Sequence, residues 1–290
     1  MGASSRSVSL ARQALAEAAA RLAAAGVEEP AREARLLLRY AAGSRSSLAV
    51  PGHADALAED VQRRFENAVT RRQAREPFAY IAGEREFYGL AFQVGPAVLI
   101  PRPETELLVA EALAFLDGRA AEVVDMGTGS GCIAVAVAVH APEARVWAVD
   151  LSEAALEVCA GNAARHGVGK RVVPVAGDMW RAGLPGELEG RLDAVLSNPP
   201  YVSAVEWAAL APEVRIHEPR QALVPDGGDP YTPLAEGARR WLRPGGLLAC
   251  EVGQGQAEAV ADVLRRAGLR DVWSLPDLAG VPRVVRGVRA

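Results

Sequence analysis

The chain has 290 residues, 50% of them hydrophobic and 23% charged, with a formal net charge of −4. That length and apolar content suit one large or two modest cored domains, and the acidic balance speaks against a general attraction to nucleic acid. Its three cysteines and four scattered histidines offer neither a disulfide framework nor metal-ligand spacing, and no apolar run approaches the roughly 20 residues of a membrane span.

Taken in chain order, Ser7–Ala25, Glu29–Ala42 and Ala54–Arg75 carry apolar residues at helical spacing, as at Leu10, Leu15, Ala18 and Leu22. Gly26 and Gly43 fit helix ends, and Pro51-Gly52 marks a turn. A small helical bundle over residues 1–75 is expected. The alanine-rich stretch from Ala11 is broken by Arg12, Glu17 and Arg21, so it lacks the apolar core of a signal peptide, and the cytoplasm is the expected compartment. Glu86–Gly95 alternates aromatic and polar residues around a turn and predicts a β-hairpin, within a linking segment over 76–102. From Pro103 to residue 290, strands alternate with helices, the pattern of an α/β fold with a doubly wound, mostly parallel sheet. Asp271–Leu275 and Val281–Val288 lie too close together for a crossover helix and predict an antiparallel closing hairpin.

Glu122–Met126 reads as a short buried strand running into Gly127-Thr128-Gly129-Ser130-Gly131 and then an apolar helix, Cys132–His140. A strand, a glycine turn and a helix N-terminus let backbone approach a ligand closely. The spacing is not that of a dinucleotide fingerprint, because Cys132 stands where its last glycine belongs. Asp125 also places negative charge beside the would-be phosphate site. The same carboxylate suits a ligand with an ammonium and a sulfonium group, and S-adenosylmethionine has both. The next strand, Ala144–Val149, ends in Asp150, about 20 residues past the glycine turn, where an acidic side chain can accept from both ribose hydroxyls. After the strand Arg171–Val175 comes Gly177-Asp178-Met179-Trp180, in which Asp178 is placed to take the adenine amino group and Met179 or Trp180 to flank the ring. Helix capping is the plainer alternative for Asp150 and Asp178.

The apolar run Leu192–Ser197 leads into Asn198-Pro199-Pro200-Tyr201. The prolines have no N–H and cannot continue a helix, so the local carbonyls stay free to accept. Such a site suits a planar –NH2 group, with two N–H donors meeting two acceptors and an aromatic ring against its face. The alternative is a Pro-Pro turn leaving a strand.

These motifs resemble those of the class I S-adenosylmethionine-dependent methyltransferases, and more narrowly the HemK/PrmC protein-(glutamine-N5) methyltransferases. The resemblance runs from Arg75-Glu76-Pro77 onward. It takes in Tyr80–Gly83, Glu86–Gly89, Leu99-Ile100-Pro101-Arg102-Pro103-Glu104-Thr105-Glu106, the glycine loop, the Asn198–Tyr201 tetrapeptide, Glu218-Pro219, Ala222-Leu223, Gly245-Gly246 and Glu251-Val252-Gly253. The Pro-Arg-Pro-Glu-Thr-Glu run discriminates best. One departure stands at Pro230-Tyr231, where the family usually continues Gly-Leu after Gly227-Gly228-Asp229.

The resemblance implies transfer of a methyl group from S-adenosylmethionine, leaving S-adenosylhomocysteine, to a glutamine side-chain amide. The glutamine is that of the Gly-Gly-Gln motif in class-I peptide-chain release factors, the proteins of translation termination. It assigns the cofactor to Asp125, Gly127, Thr128, Gly129, Ser130, Gly131, Asp150, Asp178, Met179 and Asn198. Catalysis falls to Asn198, Pro199 and Tyr201, substrate binding to Asn198, Pro199, Pro200 and Tyr201, and partner docking to the helical bundle, with no metal. Arg102 and Glu104 are expected to order a loop over the cofactor, His217 to pack or cap, and Glu251 either to border the site or to serve the sheet edge. Three other readings stand beside this one: a glutamine methyltransferase of a ribosomal protein, an adenine-N6 or guanine-N2 methyltransferase of nucleic acid, and a non-catalytic binding module. The acidic balance weighs against the second and the intact tetrapeptide against the third.

Overall fold

The computed structural model describes residues 3–43, 57–178 and 184–290, so the turn expected at Pro51-Gly52 and the residues Met179 and Trp180 lie outside the described residues. The described chain divides into two compact units. One holds the residues up to Gly83 together with Ala211–His217, and the other holds Glu84–Leu210 with Glu218–Ala290.

The first unit comprises α1 (Ala3–Ala24), α2 (Pro30–Ala41), α3 (Glu59–Gln73), α4 (Phe78–Ala82) and, from much later in the chain, α9 (Pro212–His217). Helix α1 stops because Gly26 takes a left-handed φ of 72°. Its N–H then bonds the Ala23 carbonyl at 2.9 Å and that of Val27 reaches the Leu22 carbonyl at 3.0 Å, which satisfies two end carbonyls and turns Val27 into the core. Pro30 opens α2, where its missing N–H is not needed. Leu22, Leu37, Leu38, Phe65 and Val69 form the apolar centre. Helix α9 is held by charge: Glu213 accepts from Arg72 at 2.8 Å and from Arg75 at 2.6 Å, while Arg72 also donates to Glu33 at 2.7 Å. Two carboxylates make the near-complete burial of the Arg72 guanidinium tolerable. His217 sits 2.9 Å from the Ala74 carbonyl oxygen, a packing role of the kind its sequence context predicts.

The second unit begins with a hairpin of β1 (Glu84–Phe87) and β2 (Leu90–Gln93), whose turn residues Tyr88 and Gly89 both take positive φ, 50° and 72°, as a tight right-twisting hairpin requires. The main sheet contains β3 (Ala121–Met126), β4 (Ala144–Asp150), β5 (Val172–Ala176), β6 (Leu192–Ser197), β7 (Leu242–Glu251), β8 (Leu269–Pro276) and β9 (Pro282–Arg289). Their order is β5-β4-β3-β6-β7-β9-β8. The first five strands run parallel and the last two close the edge antiparallel. This is the doubly wound α/β sheet with an antiparallel closing pair that the sequence predicts.

Alternation along the strands sorts side chains into two layers. Val123, Val146, Ala194 and Leu196 join the core with α5 (Glu106–Leu116), α6 (Cys132–His140) and α7 (Glu153–Arg165). Val124, Met126, Val149 and Val195 join the opposite core with α10 (Tyr231–Trp241) and α11 (Ala257–Arg266). A short α8 (Ala204–Ala209) follows the tetrapeptide, closed at its start by a capping box between Ser203 and Glu206. The chain order reverses at β3, which lies between β4 and β6, so ligands are expected beyond the carboxyl ends of these strands. In register, Met126 pairs with Ser197, so the glycine loop and the Asn-Pro-Pro-Tyr run leave the sheet side by side.

Candidate active site

Gly127, Gly129 and Gly131 all take positive φ, 75°, 54° and 78°, with Thr128 and Ser130 between them. The N–H groups of Gly127 and Thr128 both bond the Val149 carbonyl at 2.9 Å, which ties the loop to the end of β4. Asn162, fully buried on α7, supports it from outside. Its amide oxygen accepts from Gln93 N–H at 2.7 Å, and its nitrogen donates to the carbonyls of Gln93 and Ser130 at 3.0 and 2.9 Å. A Cβ built on Gly129 would meet nothing within 4 Å, so the loop presents bare backbone to open space.

Asp150, at the end of β4, adjoins the loop and lines the same cavity. One of its oxygens accepts from Gly129 N–H at 2.8 Å and the other from Ser152 N–H at 2.9 Å. A carboxylate has about four lone-pair sites, so capacity for two hydroxyl donors remains. Asp125 is placed differently: it is fully buried and is not among the residues lining the cavity. Its Oδ2 accepts from the Thr128 hydroxyl at 2.6 Å and from Ala134 N–H at 3.2 Å, while Oδ1 has no partner among the described residues. Burial pushes its pKa up to about 7. Burial also pushes the Cys132 and Cys159 thiols up to about 12, which excludes them as ready nucleophiles.

Asn198 stands at the end of β6. Its Nδ2 donates to the Thr105 hydroxyl at 3.2 Å, and among the described residues its Oδ1 takes no hydrogen bond. Thr105 in turn donates to Glu251 Oε2 at 2.5 Å, and the Tyr201 hydroxyl donates to Glu251 Oε1 at 3.0 Å. Burial holds the Glu251 carboxyl above the usual carboxylate range, opposed by those two hydrogen bonds, and also raises the Tyr201 phenol. Gln256 donates to the Tyr201 carbonyl at 3.2 Å and accepts at its Oε1 from the Tyr231 hydroxyl at 3.1 Å. The unusual Tyr231 therefore supports the tetrapeptide from below through Gln256. Glu218, buried, accepts from Ile100 N–H at 3.0 Å and from Arg102 at 2.6 Å, which fixes the Leu99–Arg102 run. Thr105 and Glu218 carry this architecture, and the sequence alone gives neither a role of its own. The Pro-Arg-Pro-Glu-Thr-Glu and Glu-Pro runs that contain them were the available signal.

These elements enclose a cavity of about 390 Å³, within the roughly 300–1,000 Å³ usual for small-molecule sites. Gly127, Thr128, Gly129, Ser130, Asp150, Asp178, Asn198, Pro199 and Pro200 line it, joined by Arg102, Thr105 and Pro230. Gly131 and Tyr201, like Asp125, are not among the lining residues. Bare glycine backbone with the Asp150 carboxylate bonded to it, and Asp125 Oδ1 and Ser130 Oγ, which take no hydrogen bond among the described residues, fit a cationic, ribose-bearing ligand. Among the described residues no cluster of His, Cys, Asp or Glu is arranged to hold a metal ion, and no helix is long and apolar enough to cross a membrane.

Comparison with known proteins decides the family. Residues 13–83 match the PrmC N-terminal domain and residues 104–228 the methyltransferase small domain. A release factor glutamine methyltransferase of Cereibacter sphaeroides is 48% identical over 280 residues, 95% of this chain and 97% of that protein. The chain belongs to the release factor glutamine methyltransferase family. Family members of the same name from Moorella thermoacetica and Salmonella typhimurium are 45% and 38% identical, covering 94% and 90% of this chain and 96% and 92% of theirs. Among solved structures, the hMettl16 catalytic domain in complex with MAT2A 3'UTR hairpin 1 covers 87% of this chain and 91% of its own, with a TM-score of 0.56 and 13% identity. That likeness concerns the fold alone. Membership makes the chain an enzyme, a methyltransferase, and the family's chemistry is S-adenosylmethionine-dependent.

Proposed function

We propose that this chain methylates the side-chain amide nitrogen of the glutamine in the Gly-Gly-Gln motif of class-I peptide-chain release factors. The observation that carries this reading is Asn198, whose nitrogen is engaged with Thr105 while its oxygen is left to accept at the cavity wall. An amide nitrogen is a poor nucleophile because its lone pair is delocalised into the carbonyl. Asn198 Oδ1 and the Pro199 carbonyl, accepting from the two N–H groups, localise density on that nitrogen and fix its direction. Tyr201 stands outside the cavity lining, and its role toward the glutamine side chain is to hold Pro199 and Pro200 at the wall, anchored through its hydroxyl to Glu251. Bound S-adenosylmethionine supplies an electrophilic methyl group on a sulfonium. Gly127, Gly129 and the rest of the loop hold its methionine portion, with Asp125 beneath them. Asp150 takes the ribose hydroxyls and Asp178, with Met179, the adenine. The helical unit contributes none of the cavity lining and is assigned to docking of the protein partner, in the cytoplasm.

The test is incubation with S-adenosylmethionine carrying a labelled methyl group and separate pools of release factor, ribosomal protein, RNA and DNA. Label is expected on the release factor alone, at a single glutamine by peptide mass, and lost when that glutamine is replaced. Label on another pool, with none on release factor, overturns the reading.

A further inference from the structure

The amide of Asn198 has two ends of similar shape, and only one orientation presents an acceptor to the substrate. Something must choose between them. Thr105 has one hydroxyl hydrogen, and its Oγ1 lies 2.5 Å from Glu251 Oε2, the short separation of a hydroxyl donating to a carboxylate. The other Glu251 oxygen takes the Tyr201 hydroxyl at 3.0 Å. Each Glu251 oxygen thus accepts from one hydroxyl, and both hydroxyl hydrogens point toward Glu251. Thr105 then has nothing but lone pairs for Asn198, 3.2 Å away, and the group facing it must be the N–H. Thr105 is 2% exposed and Glu251 1%, so water does not compete for these positions.

We propose that Thr105 and Glu251 are positioning residues for methyl transfer: Glu251 fixes the direction of the Thr105 hydroxyl, and Thr105 thereby turns the oxygen of Asn198 toward the substrate amide. Glu251 also fixes Tyr201 at its other oxygen, so one buried group holds the tetrapeptide at both of its ends. The argument rests on the role given to Asn198 in the proposed function. It predicts that Glu251→Gln is harmful although it preserves shape. A glutamine can donate to Thr105 Oγ1, which frees the Thr105 hydrogen for Asn198, and an amide turned to accept it would face substrate N–H groups with its own N–H.

The test is single-turnover transfer to release factor at saturating substrate, with S-adenosylmethionine affinity measured by calorimetry on the same preparations. Thr105→Val and Glu251→Gln are expected to slow transfer about 10–100-fold while leaving cofactor affinity within about twofold, and Thr105→Ser to restore most of the rate. In an Asn198→Ala background, Thr105→Val should add little further loss, because its effect passes through Asn198. A folded Thr105→Val protein that transfers at the wild-type rate overturns the inference. Should Thr105→Val fail to fold, wild-type rates in Glu251→Gln overturn it equally, as would full additivity with Asn198→Ala. A wild-type enzyme inactive on release factor would count against the proposed substrate instead, so the two failures are separable.

Discussion

Gly131 lies so close to Cys159 that a Cβ on the glycine would come within 2.6 Å of the cysteine sulfur and 3.2 Å of its Cα. Helix α7 and the end of the glycine loop are packed backbone against side chain, with no room for a methyl group. Gly131 also takes a φ of 78°, a conformation that disfavours any L side chain. Gly131→Ala therefore combines overpacking with backbone strain and should destabilise the fold by about 2–4 kcal/mol. Chemical denaturation measures this directly, and an unchanged midpoint would show that the loop and α7 can separate freely.

Gly129, two residues earlier, predicts the opposite division between folding and binding. A Cβ there meets nothing within 4 Å, and the residue lines the cavity. With φ at 54°, Gly129→Ala should cost the fold only about 1–2 kcal/mol of left-handed strain. The added methyl occupies space left for ligand, so S-adenosylmethionine affinity should fall at least about tenfold by calorimetric titration. A folded Gly129→Ala protein with normal affinity would remove this loop from the cofactor site.

The strands and the closing pair were readable because buried parallel strands are short apolar runs with polar ends, as Leu192–Ser197 illustrates. The glycine loop was equally legible, since its residue types follow from the conformation required. Partners that meet only after folding were not. Glu213 lies 141 residues downstream of Arg72, and nothing in helical periodicity reports that α9 joins the N-terminal bundle. Removing residues 1–75 alone would thus leave Glu213 without both its arginines. Glu251 sits at the end of an unremarkable apolar strand, and its link to Thr105 spans 146 residues. Asp125 was legible as a carboxylate just ahead of the glycine loop, whereas its complete burial, with α6 donating to it through Ala134 N–H, appears only in the fold.

That burial has a pH signature. The Asp125 pKa rises from 3.8 to about 7 on folding, chiefly by desolvation; Thr128 and Ala134 N–H pull it down, while the nearby Asp150 charge adds to the rise. The folded state therefore binds this proton more tightly than the unfolded chain does. Its stabilising contribution is fully present below the unfolded pKa of 3.8 and is lost as pH rises through about 7. At about 1.4 kcal/mol per unit, the loss amounts to a few kcal/mol. The difference in unfolding free energy between wild type and Asp125→Asn should change across that window and be flat above it. A difference constant from pH 4 to 8 would mean that Asp125 stays ionised beneath the loop.

Asn198 separates catalysis from binding. Asn198→Ala removes an acceptor for the target amide and touches neither Gly129 nor Asp150. Because that acceptor matters most as the nitrogen lone pair localises, the loss should fall on the transfer step, about 2–4 kcal/mol or 10²–10³ in rate, by analogy with removing an oxyanion-hole donor. S-adenosylmethionine affinity should change much less. Asn198→Asp is the sharper probe. It keeps an acceptor of nearly the same shape but loses the N–H that meets Thr105, and it sets a carboxylate oxygen against a hydroxyl whose only hydrogen is directed at Glu251. Its rate should fall between those of wild type and Asn198→Ala, and closer to the wild type if Thr105 can redirect its hydrogen. Single-turnover rates on saturating release factor discriminate these outcomes. Wild-type transfer by Asn198→Ala would take the tetrapeptide out of the mechanism, and with it the ground for reading this cavity as a glutamine methylation site.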